Sequence, residues 1–135
     1  MTPGARLLSV VEIIDNILTN KINNNYNIES NLTNWLLKSR YAGSKDKKEI
    51  SNIIYGIFKR YFILNYIRNK HELFGNFSLE ITIIYYIFHI CNKDELINYF
   101  DDGPYAIKKS QKIIDFIIQI NNLDISEAEY IKNSL

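Results

Sequence analysis

Cysteine is almost missing from this chain. Cys91 stands alone, so no disulfide can staple the fold, and a reducing compartment is expected. Proline occurs only at Pro3 and Pro104, and the five glycines are scattered. A phosphate-cradling loop needs its glycines clustered after a strand, so no nucleotide fingerprint or Walker loop is present. There is no HExxH, no GxSxG and no cysteine–histidine spacing of a zinc site. The chain by itself is therefore expected to be no enzyme and to hold no metal or cofactor. The start lacks a basic segment followed by an apolar one, so no secretory leader is expected. The longest apolar run, Ile81 to Cys91, is too short to span a bilayer and contains His89. These absences point to a soluble, cytoplasmic protein without a membrane partner. His89 and Cys91 lie two apart and do not face each other on a helix. They read as a satisfied core histidine beside a buried thiol.

What is present suits one domain. A chain of 135 residues with 47% hydrophobic and 13% aromatic content can bury a single core. Net charge is only +1, but it is unevenly spread. Residues 1–37 hold two basic and three acidic side chains, a balance of −1. Residues 38–70 hold nine basic and two acidic, +7, and residues 71–135 hold five and ten, −5. A basic segment on an otherwise acidic chain is the footprint of a polyanion site.

The apolar spacing is helical throughout, and no strand is expected. Thr2 and Pro3 suit a helix start, a capping hydroxyl ahead of a proline in the first turn. Leu7, Val11, Ile14 and Leu18 then mark a first helix to about residue 19. Residues 20–27 are asparagine-rich and predict a loop. A second helix, roughly 29–39, turns Leu32, Trp35 and Leu36 inward, with Trp35 as a core anchor. A long helix follows over about 45–69. Twenty-five residues is long for a small domain, so a kink or break is expected near 59–61. After a loop over 71–77, Ser78 is a candidate cap for a helix over 79–91. That helix is apolar almost all round and belongs at the centre of a bundle. A short helix over 93–100 ends at the turn Asp101-Asp102-Gly103-Pro104. Another helix runs over about 108–121. Ser126-Glu127-Ala128-Glu129 is a capping box opening a last helix over 127–132.

The basic segment centres on Arg40 to Arg60, RYAGSKDKKEISNIIYGIFKR. Gly43 reads as a loop end and Ser44 as the helix N-cap, with Asp46 suited to the positive end of the helix dipole. Lys47 stands where a capping box would place an acid or amide. Ile50, Ile53, Ile54, Ile57, Tyr61 and Leu64 form an apolar stripe. Lys45, Lys48, Asn52, Gly56 and Lys59 fall on roughly the opposite face. That face is either a solvated lysine surface or a phosphate-binding one. Gly56 either admits a close partner to the backbone or serves a tight helix crossing. Arg6 gains nothing from the dipole at a helix N-terminus. It therefore has another partner, either an acid such as Glu12 or one on a neighbouring helix, or an external anion.

The same stretch, RYAGSKDKKEI followed by IYGIFKR, resembles a family segment. It is similar to the opening of the central helix in the NusB-like N-terminal domain of Sun/RsmB-type 16S ribosomal RNA cytosine-5 methyltransferases. TPGARLLSVVEIIDNIL resembles the first helix of that domain, with Arg6 at its recurrent arginine. The likeness is closest to the alphaproteobacterial forms and covers residues 2–20 and 35–68. It departs at Asp46-Lys47, where the family has Asp-Arg; lysine keeps the charge but loses the bidentate fork. The resemblance implies an all-α, NusB-like bundle of about seven helices forming one RNA-binding domain. It would help dock ribosomal RNA for an S-adenosylmethionine-dependent catalytic domain absent from this chain. Arg6, Arg40, Lys45, Lys47, Lys48, Lys59 and Arg60 are the expected RNA contacts, and Gly43, Ser44 and Asp46 shape the loop. The alternatives are a free-standing NusB-type antitermination factor and a helical protein-binding module.

Overall fold

The computed structural model describes residues 1–22, 27–39, 42–71 and 75–123. Within them the chain forms seven helices and no strand: α1 (Pro3–Ile22), α2 (Ile28–Lys38), α3 (Ser44–Lys59), α4 (Tyr61–His71), α5 (Phe77–His89), α6 (Lys93–Tyr99) and α7 (Gln111–Asn121). The last expected helix, over 127–132, lies outside the described residues.

α5 is the axis. It packs against α1, α3, α4, α6 and α7, and nine consecutive residues from Ser78 to Tyr86 are buried. A helix buried on every side must be apolar on every side, as its sequence is. Around it lie Val10, Ile13, Ile14 and Ile17 of α1, Ile50, Ile54 and Ile57 of α3, Leu64 and Ile67 of α4, and Phe116, Ile117 and Ile120 of α7. Isoleucine is only a modest helix former; its burial in this core, not propensity, selects the helices.

The long basic helix breaks where its length predicts. Arg60 separates α3 from α4 with φ −109° and ψ 15°. The turn stays nearly helical, since the Arg60 N–H reaches the Gly56 and Ile57 carbonyls and the Leu64 N–H reaches Arg60 O. The exposed faces of α3 and α4 therefore run on from each other.

Several caps differ from expectation. The Thr2 hydroxyl does accept the Ala5 N–H at 3.1 Å, but α1 runs on to Ile22, into the expected loop. Asn27 caps α2 through the Ser30 N–H. Asn76, not Ser78, caps α5; Ser78 is buried two residues on, its hydroxyl donating to Asp15. Ser110 caps α7 and moves its start past Lys108 and Lys109. Trp35 is an anchor as expected, packed on the core.

The turn after α6 closes the bundle onto α1. Asp102 accepts the Gly4 N–H at 3.1 Å, and its carbonyl accepts the Thr2 hydroxyl at 3.2 Å. Gly4 is required there, because a Cβ would overlap the Tyr99 carbonyl. Asp101, at φ 62°, accepts the Lys109 N–H. The two aspartates thus build the turn.

Candidate nucleic-acid interface

α3 begins one residue earlier in its capping than the sequence suggests. Gly43 is the N-cap and Ser44 the first helical residue, and no side chain caps the helix. Ser44 therefore does not act as the cap. Counted from Gly43, the third helical position is Asp46, whose carboxyl is lowered in part by the Gly43 N–H. This is the acid half of a capping box, working without a capping hydroxyl.

Asp46 is also where α1 meets α3. Arg6 Nη1 lies 3.1 Å from Asp46 Oδ1, and Arg6 Nε lies 3.2 Å from Glu49 Oε2. The Met1 amine sits 3.7 Å from Asp46 Oδ2, and Arg6 Nη1 also donates to Met1 O. Burial pushes the Asp46 carboxyl up. The Arg6 hydrogen bond, the N-terminal amine, the Gly43 N–H and the Arg6 charge outweigh it and hold the group below its ordinary value. The partner that Arg6 needed is thus a pair of acids on the neighbouring helix. Those two, Asp46 and Glu49, are the only acids in the basic segment 38–70.

The lysines lie elsewhere on α3. Ile50, Ile53, Ile54 and Ile57 are buried, and on the opposite side Ser44, Lys45, Lys48, Asn52, Tyr55 and Lys59 are exposed. Asp46 and Glu49 occupy the flank toward α1, so the exposed row contains no acid. Lys45, Lys48 and Lys59 make no ion pair among the described residues. Lys47 is half-buried on the other flank, one turn before Ser51, whose hydroxyl donates to the Lys47 carbonyl. Arg40 lies outside the described residues.

Gly56 and Arg60 do not belong to that row. Gly56 faces α5, where an added Cβ would overlap the Tyr85 hydroxyl. Of its two expected roles it fills the tight crossing, not the opening for a partner. Arg60 folds back, donating from Nη1 to Gly56 O at 3.2 Å, with its guanidinium 5.9 Å from the Tyr85 ring centre. Tyr85 in turn touches the His89 ring at 4.8 Å between centroids. Burial, and then the Arg60 charge, hold the His89 imidazole below its ordinary value. Arg60 Nε and His89 Nε2 are buried without a hydrogen-bond partner among the described residues. His89 and Cys91 are only half-buried, which corrects the picture of a satisfied core histidine beside a buried thiol. Burial and the Glu95 charge push the Cys91 thiol up to about 11, against a lowering hydrogen bond with Tyr99.

The sequence reading missed the aromatics of this surface. Tyr55, Phe62 and Tyr66 are 48%, 90% and 52% exposed. They continue the lysine row at three- and four-residue steps: 45, 48, 52, 55, 59, 62, 66. That spacing was visible in the sequence once the row was followed past the helix break. Lys70 Nζ lies 5.6 Å from the Tyr66 ring centre at its far end. At 1.5 Å per residue the row from 45 to 70 spans about 38 Å.

Arg6, Glu49, Asn52, Tyr86, Ile90 and Tyr99 help line a cleft of about 240 Å³ beside the row. Among the described residues no three His, Cys, Asp or Glu side chains gather in a metal-binding arrangement. No helix among them is long and apolar enough to cross a membrane. No protein-family model, curated protein or solved structure matches the chain.

Proposed function

We propose that this chain is a NusB-like RNA-binding domain that docks ribosomal RNA for a Sun/RsmB-type cytosine-5 methyltransferase. The observation that carries the reading is charge segregation on α3. Arg6 draws both acids of the basic segment onto the α1 flank, and Lys45, Lys48 and Lys59 face outward with no acid among them. Phosphates are the natural partner of such a row, and phosphate contacts hold and orient RNA while reading little sequence. In this reading Arg6 and Asp46 shape the surface, and the three lysines touch the RNA. The chain supplies binding and no chemistry. S-adenosylmethionine and the reacting groups belong to a catalytic domain outside these residues, in the cytoplasm.

The test is binding of ribosomal RNA by wild type and by Lys45→Gln, Lys48→Gln and Lys59→Gln, singly and combined. Each lost contact should weaken binding and flatten the slope of log affinity against log salt by about 0.7–0.9. The loss should be similar across unrelated RNA sequences. A folded triple variant with unchanged affinity and slope would return the row to a solvated surface.

A further inference from the structure

We propose that Tyr55, Phe62 and Tyr66 form a stacking platform for unpaired bases of single-stranded RNA, with the lysines of the same row holding its phosphates. This rests on the RNA-binding reading above and adds which part of an RNA the surface takes.

Exposed apolar side chains occurring singly are ordinary on a protein surface. Leu37, Ile90, Tyr105 and Ile118 are of that kind, dispersed over α2, the end of α5, the turn after α6 and α7. The α3–α4 surface is different. Its three exposed large apolar residues are all aromatic, all in one row, and separated only by lysine and asparagine. Phe62 has no polar atom for water, yet 90% of it is exposed. No aliphatic side chain stands in the row from 45 to 66, as a helix-docking seam would require. Alternation of cationic and aromatic groups along a strip is instead the pattern that tracks a single strand. The charges follow the backbone, and the rings meet base faces. Paired bases hide those faces inside the duplex stack, so the rings can serve only unpaired nucleotides. The lysine charge and the absence of acid from the row fit a polyanion.

The experiment uses the 135-residue chain and three fluorescent probes: an unstructured single-stranded RNA 12-mer, the same sequence as a duplex, and inorganic polyphosphate. Phe62→Ala should weaken single-strand binding on the order of tenfold. Its salt slope should be unchanged, because no counterion is released at a stacking contact. Duplex and polyphosphate binding should stay within twofold. Tyr66→Ala should act in the same direction, and Phe62→Trp should retain affinity with indole fluorescence quenched on adding the single strand. Melting of the free variants should match wild type. A single-strand affinity unchanged in Phe62→Ala, with the lysine-dependent salt slope intact, overturns the platform and leaves the RNA reading standing. Equal losses for duplex or polyphosphate also overturn it. A wild type that binds neither the single-stranded nor the duplex RNA overturns both.

Discussion

Two arginines in this bundle each reach a carboxylate at a similar distance, in opposite surroundings. Arg68 Nε lies 3.1 Å from Glu80 Oε1, with Glu80 fully buried on the central helix and the Arg68 guanidinium 5.1 Å from the Phe77 ring centre. Arg6 meets Asp46 and Glu49 at 3.1 and 3.2 Å on a partly exposed flank. The distances are alike, but water decides what each is worth. A buried carboxylate that loses its partner keeps its desolvation cost, whereas an exposed one is rehydrated. The first pair therefore locks α4 to α5. The second mainly sorts charge on the surface.

The largest expected effect breaks the inner pair. Arg68→Ala should cost about 3–5 kcal/mol in denaturant unfolding, because the buried Glu80 carboxylate loses the Arg68 guanidinium while keeping its desolvation cost. Replacing both partners, Arg68→Met with Glu80→Leu, should cost far less than the single change. Equal costs for single and double variants would mean that packing, not charge, holds this site.

The outer pair should respond more weakly and differently. Arg6→Ala should cost about 1 kcal/mol at low salt, shrinking as ionic strength rises, while the Arg68→Ala cost should hardly change. On the proposed RNA-binding reading it should also weaken that binding, because Asp46 and Glu49 would stand beside the lysines without their counterion. A salt-independent loss at Arg6 would erase the distinction between the two sites.

Acid titration sharpens the comparison further. The Asp46 carboxyl is held below its ordinary value of 3.8, so the unfolded chain takes up this proton first. The stability that Asp46 contributes is fully present above pH 3.8 and is lost as pH falls through its lower folded value. Wild type should exceed Asp46→Asn by a constant margin above that pH, and the margin should close below it. A margin that instead grew on acidification would reverse the sign.

The smallest effect is expected at Ser44. With Gly43 as the cap, Ser44→Ala should change stability by less than about 0.5 kcal/mol, tending toward stabilisation by helix propensity. A loss near 1 kcal/mol would restore Ser44 as the capping residue.

What was legible in the sequence was what one helix can say about itself. The buried and exposed faces of α3, the apolar circumference of α5 and the break at Arg60 all follow from spacing and length within a single segment. Meetings between segments were not legible. Gly56 lay within the exposed arc on a helical wheel, but nothing local shows that Tyr85, twenty-nine residues on, covers it. Glu80 stood inside an apolar run, yet its partner Arg68 belongs to another helix. Arg6 needed a partner, but its sequence alone did not choose Asp46 and Glu49. Gly43 and Ser44 are both acceptable caps; Asp46 three places after Gly43 was the signal that separates them, and it went unused. The aromatic row becomes legible only when the lysine spacing is carried past the break at Arg60, as the apolar stripe is.

The hold of Asp102 on Gly4 closes a span of 98 residues, which bears on the order in which the bundle can assemble. Such a contact carries a high loop-closure cost until the intervening helices have condensed. On a ribosome, a chain grown only through α4 has α2 and α3 available to cover α1, but neither α5, α6 nor the Asp102 turn. Part of the α1 apolar face, formed first, waits for its cover until the end of α6 has emerged. The first turn of the protein is thus set in place by some of the last of its described residues to be made.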